Sequence, residues 1–221
     1  RRLVNQEQVD VIVGGWGSSQ VLAHQATVEE AGVPYIIVGA TNPRITTTDN
    51  YWTFRVIKSD ANQAQEIAVA ATEDLGLSRI AILYDSNDYG TGNKDVFLSA
   101  LTKMGMEPVV LESYKTDDRD FTAQLTKVRA ANPDGLAIFG TVPAAPAIMR
   151  QARDLGITAQ FIGTGGLANE QLIELGGAAA EGTVLTTYFH EDTTADAQAW
   201  AAKYQARYQG QSPEARPILA A

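Results

Sequence analysis

Three stretches of this sequence carry residue types whose spacing invites a chemical interpretation. "VDVIVGGWGSSQVLAHQA", Val9 to Ala26, runs an apolar strand into Gly14, Gly15, Trp16, Gly17, Ser18 and Ser19 and then into a helical stretch. A phosphate loop, a hydrolase nucleophile turn and a cradle for a small anion would each place Gly and Ser there. The second stretch, "YGTGNKD", has Gly90 and Gly92 at dinucleotide spacing but Asp95 where the third glycine belongs. A carboxylate near a helix N-terminus would also repel a pyrophosphate. No stretch supplies the Gly-Lys-Ser/Thr of a phosphate loop. A hydrolase elbow needs G-x-S-x-G, and from Gly17 the chain reads Gly-Ser-Ser-Gln-Val. His24, six residues past Ser18, falls about 240° around the same helix and cannot meet that hydroxyl. His190 is the only other histidine and shows no triad pattern. Two isolated histidines without cysteines offer no metal-ligand spacing. The acidic third stretch, "DDRD" at 117–120, reads as a helix start, and Glu29 with Glu30 as a solvated face. No cofactor or metal is expected.

What remains is a set of small and hydroxyl residues at the carboxyl ends of strands. Short Val/Ile-rich runs recur: "VDVIVGG", "VPYIIVGA", "RIAILYD", "EPVVLESY", "DGLAIFG", "AQFIGTGG" and "GTVLTTYF". They alternate little, as strands covered on both faces do. Helical patterns lie between them, near 18–31, 60–75, 90–104, 119–131, 144–155, 168–176 and 194–209. Strand then helix, repeated, predicts an α/β protein with mainly parallel sheets and right-handed crossovers. Ala64, Ile67, Ala68, Ala71 and Leu75 fall on one helical face, as do Val96, Phe97, Leu101 and Met104 before a stop at Gly105. These are core positions. The long polar stretch from Thr41 to Asp60, with a short strand "WTFRVI", breaks the rhythm and predicts a boundary near Ile57–Ser59.

In open parallel sheets the ligand crevice lies off the strand carboxyl ends. There the chain places Ser18 and Ser19, then Gly39, Ala40 and Thr41, then Tyr89, Thr141 and Val142, and finally Thr164 and Gly165. Free amides at a helix N-terminus beside Ser hydroxyls favour a carboxylate. Ordinary capping would place Ser before a helix as well; the recurrence at strand ends favours a cleft.

Bulk properties narrow the classes. A net charge of −9 argues against nucleic-acid binding, which needs clustered Lys and Arg. A hydrophobic fraction of 45% with 19% charged residues is that of a folded globule, and no apolar run approaches the roughly 20 residues of a membrane span. Zero cysteines leave the compartment open. Both ends read as cut: "RRLVNQEQ" as the last turns of a helix, "SPEARPILAA" as a helix start with Ser212 and Pro213. The expectation is a piece of a longer protein, unstable alone because a missing strand and helix expose sheet edge.

The whole pattern resembles the periplasmic solute-binding proteins of the branched-chain amino-acid (leucine-binding) type, the type I binding fold of ABC importers. The resemblance rests on "VDVIVGGWGSSQVLA", "GVPYIIVGATNPRIT", "FRVIKSDANQA", "RIAILYDSNDYGTG", "KTDDRDFTAQLTKVRAANPDGLAIFG", "MRQARDLGITAQFIGTGG" and "AEGTVLTTYF", in order along nearly the whole chain. It implies two Rossmann-like lobes truncated at both ends: part of the first lobe (1–57), the second lobe (58–189) and a return segment (190–221). It implies hinge closure on a small amino acid or related carboxylate, an ABC permease as partner and a periplasmic or extracytoplasmic location. Ser18 and Ser19 would grip the carboxylate, the turn of Gly39, Ala40 and Thr41 would touch the ligand, Tyr89 would cover it, and Trp16 would line the side-chain pocket.

Two departures from the family pattern stand out. Gly165 occupies the place of an acidic residue that pairs with a ligand ammonium, and Thr141–Val142 lacks the expected aromatic. Both favour an aromatic acid, a keto acid or a small amide over a zwitterion. An effector-sensing domain of a regulator or receptor with the same fold is the alternative function, and an α/β enzyme a weaker one.

Overall fold

The structure, a computed structural model, describes residues 1–47, 49–142 and 144–209. The Val/Ile-rich runs form strands in two separate parallel sheets. The smaller has the order β1 (Ile12–Gly14), β2 (Tyr35–Ile37), β3 (Thr53–Arg55), with Ile12, Tyr35 and Thr53 in register. The larger contains β4 (Ile80–Asp85), β5 (Val110–Tyr114), β6 (Gly135–Phe139), β7 (Gln160–Gly163) and β8 (Val184–Leu185). Its order is β5-β4-β6-β7-β8, so the winding reverses between β4 and β6. Ligands bind outside the strand ends at such a point.

Helices fill the crossovers. They are α1 (Arg2–Asn5), α2 (Ser18–Ala31), α3 (Asp60–Val69), α4 (Asp88–Lys103), α5 (Thr122–Ala131), α6 (Ala144–Asp154), α7 (Glu170–Gly176) and α8 (Ala195–Arg207). Among the described residues four begin on a side-chain cap, including α3, where Ser59 accepts from Ala61 N at 3.2 Å, α4, where Asn87 accepts from Gly90 N at 2.9 Å, and α8, where Thr194 accepts from Ala197 N at 3.1 Å. Each such cap stabilises its helix by about 1 kcal/mol.

Strands β4, β6 and β7 of the larger sheet are buried on both faces, which is why they do not alternate in sequence, whereas the edge strand β5 exposes Leu111 and Ser113. Leu83, Leu136, Ile138 and Phe161 pack with Leu125 of α5 and Ile148 and Met149 of α6. Ile80, Ile82, Phe139 and Ile162 pack on the other face with Ile67 of α3 and Phe97 and Leu101 of α4. Burial of each such side chain contributes about 1.5–3 kcal/mol.

The structure corrects three sequence expectations. After Val69, α3 passes into a π turn over Ala70–Asp74. The wider turn rotates Leu75 off the apolar stripe, and it is exposed. Met104 is exposed as well, because α4 has ended at Lys103 and Gly105, at φ +74°, turns the chain away. The smaller sheet is not covered on both faces. Val21 and Val28 of α2 pack on Tyr35 and Ile37, but Val13 and Phe54, flanking Ile36 in register, stay 66% and 49% exposed. No described element lies over that face. The helix start expected at Ser212–Pro213 falls outside the described residues.

Candidate functional site

The "GGWGSS" motif is a bend that joins two strand ends. Gly15 sits at φ +81°, and a Cβ there would lie 2.7 Å from both the Tyr35 hydroxyl and Val21 Cγ2. Only glycine fits. Its carbonyl accepts from Gly39 N at 3.1 Å and Ala40 N at 3.0 Å, tying the exit of β1 to that of β2. The chain then enters α2 with Gly17 as N-cap, and no side chain caps this end. First-turn amides have no intrahelical acceptor. Those of Ser18, Ser19 and Gln20 therefore face outward with the positive end of the helix dipole.

These residues form one wall of a cavity of about 530 Å³ between the carboxyl ends of the two sheets, within the range of small-molecule sites. Trp16, Gly17, Ser18, Ser19, Gln20 and Gly39 line it from the smaller sheet. Asn87, Tyr89, Thr116, Thr141, Val142, Gly166, Asn169 and Gln171 line it from the larger one. None of these side chains carries a formal charge. The buried carboxyl beneath this wall, Asp85, turns both oxygens to Thr116 Oγ1, at 3.0 and 2.8 Å, and accepts from Asn87 N at 3.1 Å. Burial raises its pKa, while the bonds from Thr116 and Asn87 act in the opposite direction. A cavity of about 820 Å³ also exists between α7 and β8, away from the β4–β6 winding reversal.

Two hydroxyls at the head of α2 already accept a bond. Ser18 Oγ accepts from Asn42 N at 3.3 Å, and Ser19 Oγ accepts from Asp88 N at 3.2 Å. A hydroxyl has one proton and two lone pairs. Each oxygen takes one backbone N–H and keeps its proton and a second lone pair, so each serine is able to donate to an acceptor. The N-terminus of α4 differs: Asn87 Oδ1 already takes Gly90 N. Of these two helix starts, only that of α2 has no side-chain cap.

Of the residues singled out in the sequence, Trp16, Ser18, Ser19, Gly39, Tyr89, Thr141 and Val142 line this one cavity. Ala40, Thr41, Thr164 and Gly165 stand behind it. The N–H groups of Gly39 and Ala40 are taken by Gly15, so this turn offers the ligand no free amide from them. Thr41, 1% exposed, donates to Asp60 Oδ2 at 2.9 Å and its carbonyl takes Asp60 N, across the junction between the sheets. Thr164 Oγ1 and the Tyr89 hydroxyl are 3.2 Å apart, and that hydroxyl accepts from Gly166 N at 2.9 Å. The Tyr89 ring is thus held from behind. Gly165 N donates to Gln63 Oε1 at 3.1 Å, and a Cβ at 165 would meet the Tyr188 ring at 2.5 Å. The space of a side chain at 165 is already filled by Tyr188 and Gln63. His24 and His190 are exposed. Glu29 is no solvated face: its carboxylate accepts from Tyr51 N, Trp52 N and Thr53 Oγ1 at 2.8–3.0 Å. The sequence pattern did not single out Asn42, Asn87, Thr116, Asn169 or Gln171, whose positions depend on contacts distant in sequence.

Comparison with known proteins places the sequence and the fold. The family model described as "Periplasmic binding protein" matches residues 1–218. An amino acid binding protein of Pseudomonas aeruginosa is 30% identical over 176 residues, covering 80% of this chain and 47% of its own length. The structure of the leucine-binding protein LivK of Thermotoga maritima superposes with a TM-score of 0.91 at 32% identity, over 99% of this chain and 62% of that one. LivJ of Streptococcus pneumoniae, solved with isoleucine, gives 0.84 at 27% identity, over 99% and 63%. The chain spans about half the length of the curated relatives it matches. Its two parallel sheets are those of the type I periplasmic-binding fold. On this agreement of sequence and fold, the chain belongs to the periplasmic binding protein family.

Proposed function

We propose that this chain is the ligand-gripping part of an extracytoplasmic solute-binding protein of an ABC transporter, which captures a small carboxylate and delivers it to a permease without chemical turnover. Family membership supports the transport role, and the failure of each catalytic motif supports binding without catalysis. The lobes run over 1–57 and 58–189, with a return segment from 190, and close about the junction near Ile57–Ser59. Trp16, Ser18, Ser19, Gly39, Tyr89, Thr141 and Val142 face the ligand; Ala40, Thr41, Thr164 and Gly165 hold that wall from behind.

The observation that carries the ligand class is the pair of serine hydroxyls able to donate at an uncapped helix start. A carboxylate there accepts two hydroxyl bonds, each contributing about 1.5–3 kcal/mol when the acceptor is charged. The helix N-terminus adds about 0.3–1 kcal/mol. Among the described residues the same wall carries no carboxylate for an ammonium group, and Tyr188 and Gln63 fill the space at Gly165. The ligand is therefore a monocarboxylate without an α-amino group, such as an aromatic or keto acid. Calorimetric titration with benzoate and benzamide tests the class. Benzoate binding at least about tenfold tighter is expected, because only the carboxylate matches two charge-assisted donors. Equal binding of acid and amide would remove the carboxylate from the account.

A further inference from the structure

We infer that Asn42 and Asp88 form a clasp that holds the cleft shut and couples closure to the ligand through Ser18 and Ser19; the coupling rests on the carboxylate proposal above. Three groups of Asp88, the first residue of α4, are engaged by the smaller sheet's side of the molecule. Its N–H donates to Ser19 Oγ at 3.2 Å, its carbonyl accepts from Asn42 Nδ2 at 2.5 Å, and its carboxylate lies 3.3 Å from Arg44 Nη1. Asn42 is 2% exposed and as fully engaged. Its N–H goes to Ser18 Oγ, its side-chain oxygen takes Arg44 N at 2.9 Å, and its carbonyl takes Arg55 Nη1 at 2.9 Å.

These bonds close a ring. Asn42 joins Ser18 to Asp88, Asp88 joins Ser19, and the two serines are adjacent in the chain. One turn beyond Asp88, a Cβ on Gly92 would come within 2.5 Å of Asn42 Nδ2, so α4 is bare where the amide seats. The ring separates the cleft from a groove of about 560 Å³ on its outer side, which Asn42, Arg44, Asp88 and Gly92 line.

Parting the sheets must break the two bonds that Ser19 and Asn42 make to the Asp88 backbone, while Asn42 keeps its bond to Ser18. Most of the clasp therefore exists only in the closed form. A carboxylate that accepts from both serine hydroxyls polarises their oxygens and strengthens the N–H bonds those oxygens receive. The ligand and the clasp then favour the same state, and apparent affinity scales with the closed fraction. The exposed Arg44–Asp88 pair adds little and weakens with salt. Asn42 and Asp88 are positioning residues.

The absence of cysteine allows a direct test. Ala26→Cys on α2 and Glu174→Cys on α7, both exposed sites, take spin labels, and pulsed electron paramagnetic resonance measures their separation. Gly92→Ala, which displaces the Asn42 amide, is expected to move the ligand-free distribution toward longer distances and to weaken benzoate binding about tenfold. Asn42→Asp keeps the side-chain volume and the oxygen that caps Arg44 N, but it sets an acceptor against the Asp88 carbonyl. It should shift the distances likewise, and it serves if Gly92→Ala does not fold. Ligand-free distances unchanged in a folded variant overturn the clasp, whatever binds. A wild type that does not respond to benzoate contradicts the carboxylate proposal, and the clasp then stands or falls on the ligand-free distances.

Discussion

Ser18→Ala separates two roles of one hydroxyl. In the ligand-free protein Ser18 Oγ receives the N–H of Asn42 at 3.3 Å; in the complex the same hydroxyl donates to the carboxylate. Losing the accepted bond orphans a buried N–H, a cost of about 1–3 kcal/mol in the folded state. That cost is present with and without ligand, so it lowers the melting temperature but largely cancels from affinity. At about 2–4 °C per kcal/mol for a chain of this size, the fall is roughly 2–12 °C. Losing the donated bond removes about 1.5–3 kcal/mol from the complex alone, a rise in Kd for benzoate of roughly 10- to 150-fold. Benzamide, with a neutral acceptor, should lose only about 0.5–1.5 kcal/mol. Calorimetry on both ligands with a parallel thermal melt reads all three quantities. A variant that melts early yet binds benzoate within about twofold of wild type would show that Ser18 is a structural cap and no more.

Further substitutions probe other parts of the account. Glu29→Gln should cost about 1–3 kcal/mol of stability, because a neutral amide cannot satisfy the three donors of the 51–53 segment; an unchanged melting temperature would contradict that role. Tyr89→Phe should lower the melting temperature by orphaning Gly166 N while leaving benzoate affinity within about threefold, whereas Tyr89→Ala should lose the ring and the affinity with it. Asp134 is the pH probe. Burial would raise its pKa, but bonds from Ser78 N, Arg79 N and the Ser78 hydroxyl outweigh that and lower it. A lowered folded-state pKa gives stability that is complete above the unfolded carboxylate value, about 3.9, and is lost as pH falls through the folded one. Asp134→Asn should therefore melt earlier than wild type at pH 7, and the gap should narrow below about pH 4; a gap independent of pH would point to a cause other than ionisation.

Much of the architecture was legible because it is local. The Val/Ile runs and the glycine stop at Gly105 sit within a few residues of what they control. The seven Val/Ile runs each form a strand, "WTFRVI" forms β3, and every expected helix core is helical. The phase slip at Leu75 was hidden because a π turn leaves no mark in an apolar pattern. The open face of the smaller sheet was hidden too, since Val13 and Phe54 have the same composition whether or not something covers them. In the cleft, strand-end positions identified the serines, but not what holds them. Asn42 meets Asp88 across 46 residues and Gln63 meets Gly165 across 102. Contacts at such separations have no local signature. They decide what holds the strand-end wall in place and why residue 165 is bare.

The central proposal is that this cleft selects a carboxylate and that its described residues offer no carboxylate to an ammonium group. Leucine and 4-methylpentanoate differ in the amino group alone, so their calorimetric Kd values on the wild-type protein test it most directly. An unpaired ammonium desolvated against neutral side chains costs a few kcal/mol. Binding of 4-methylpentanoate at least about tenfold tighter than leucine is the predicted result. Tighter binding of leucine would contradict the account.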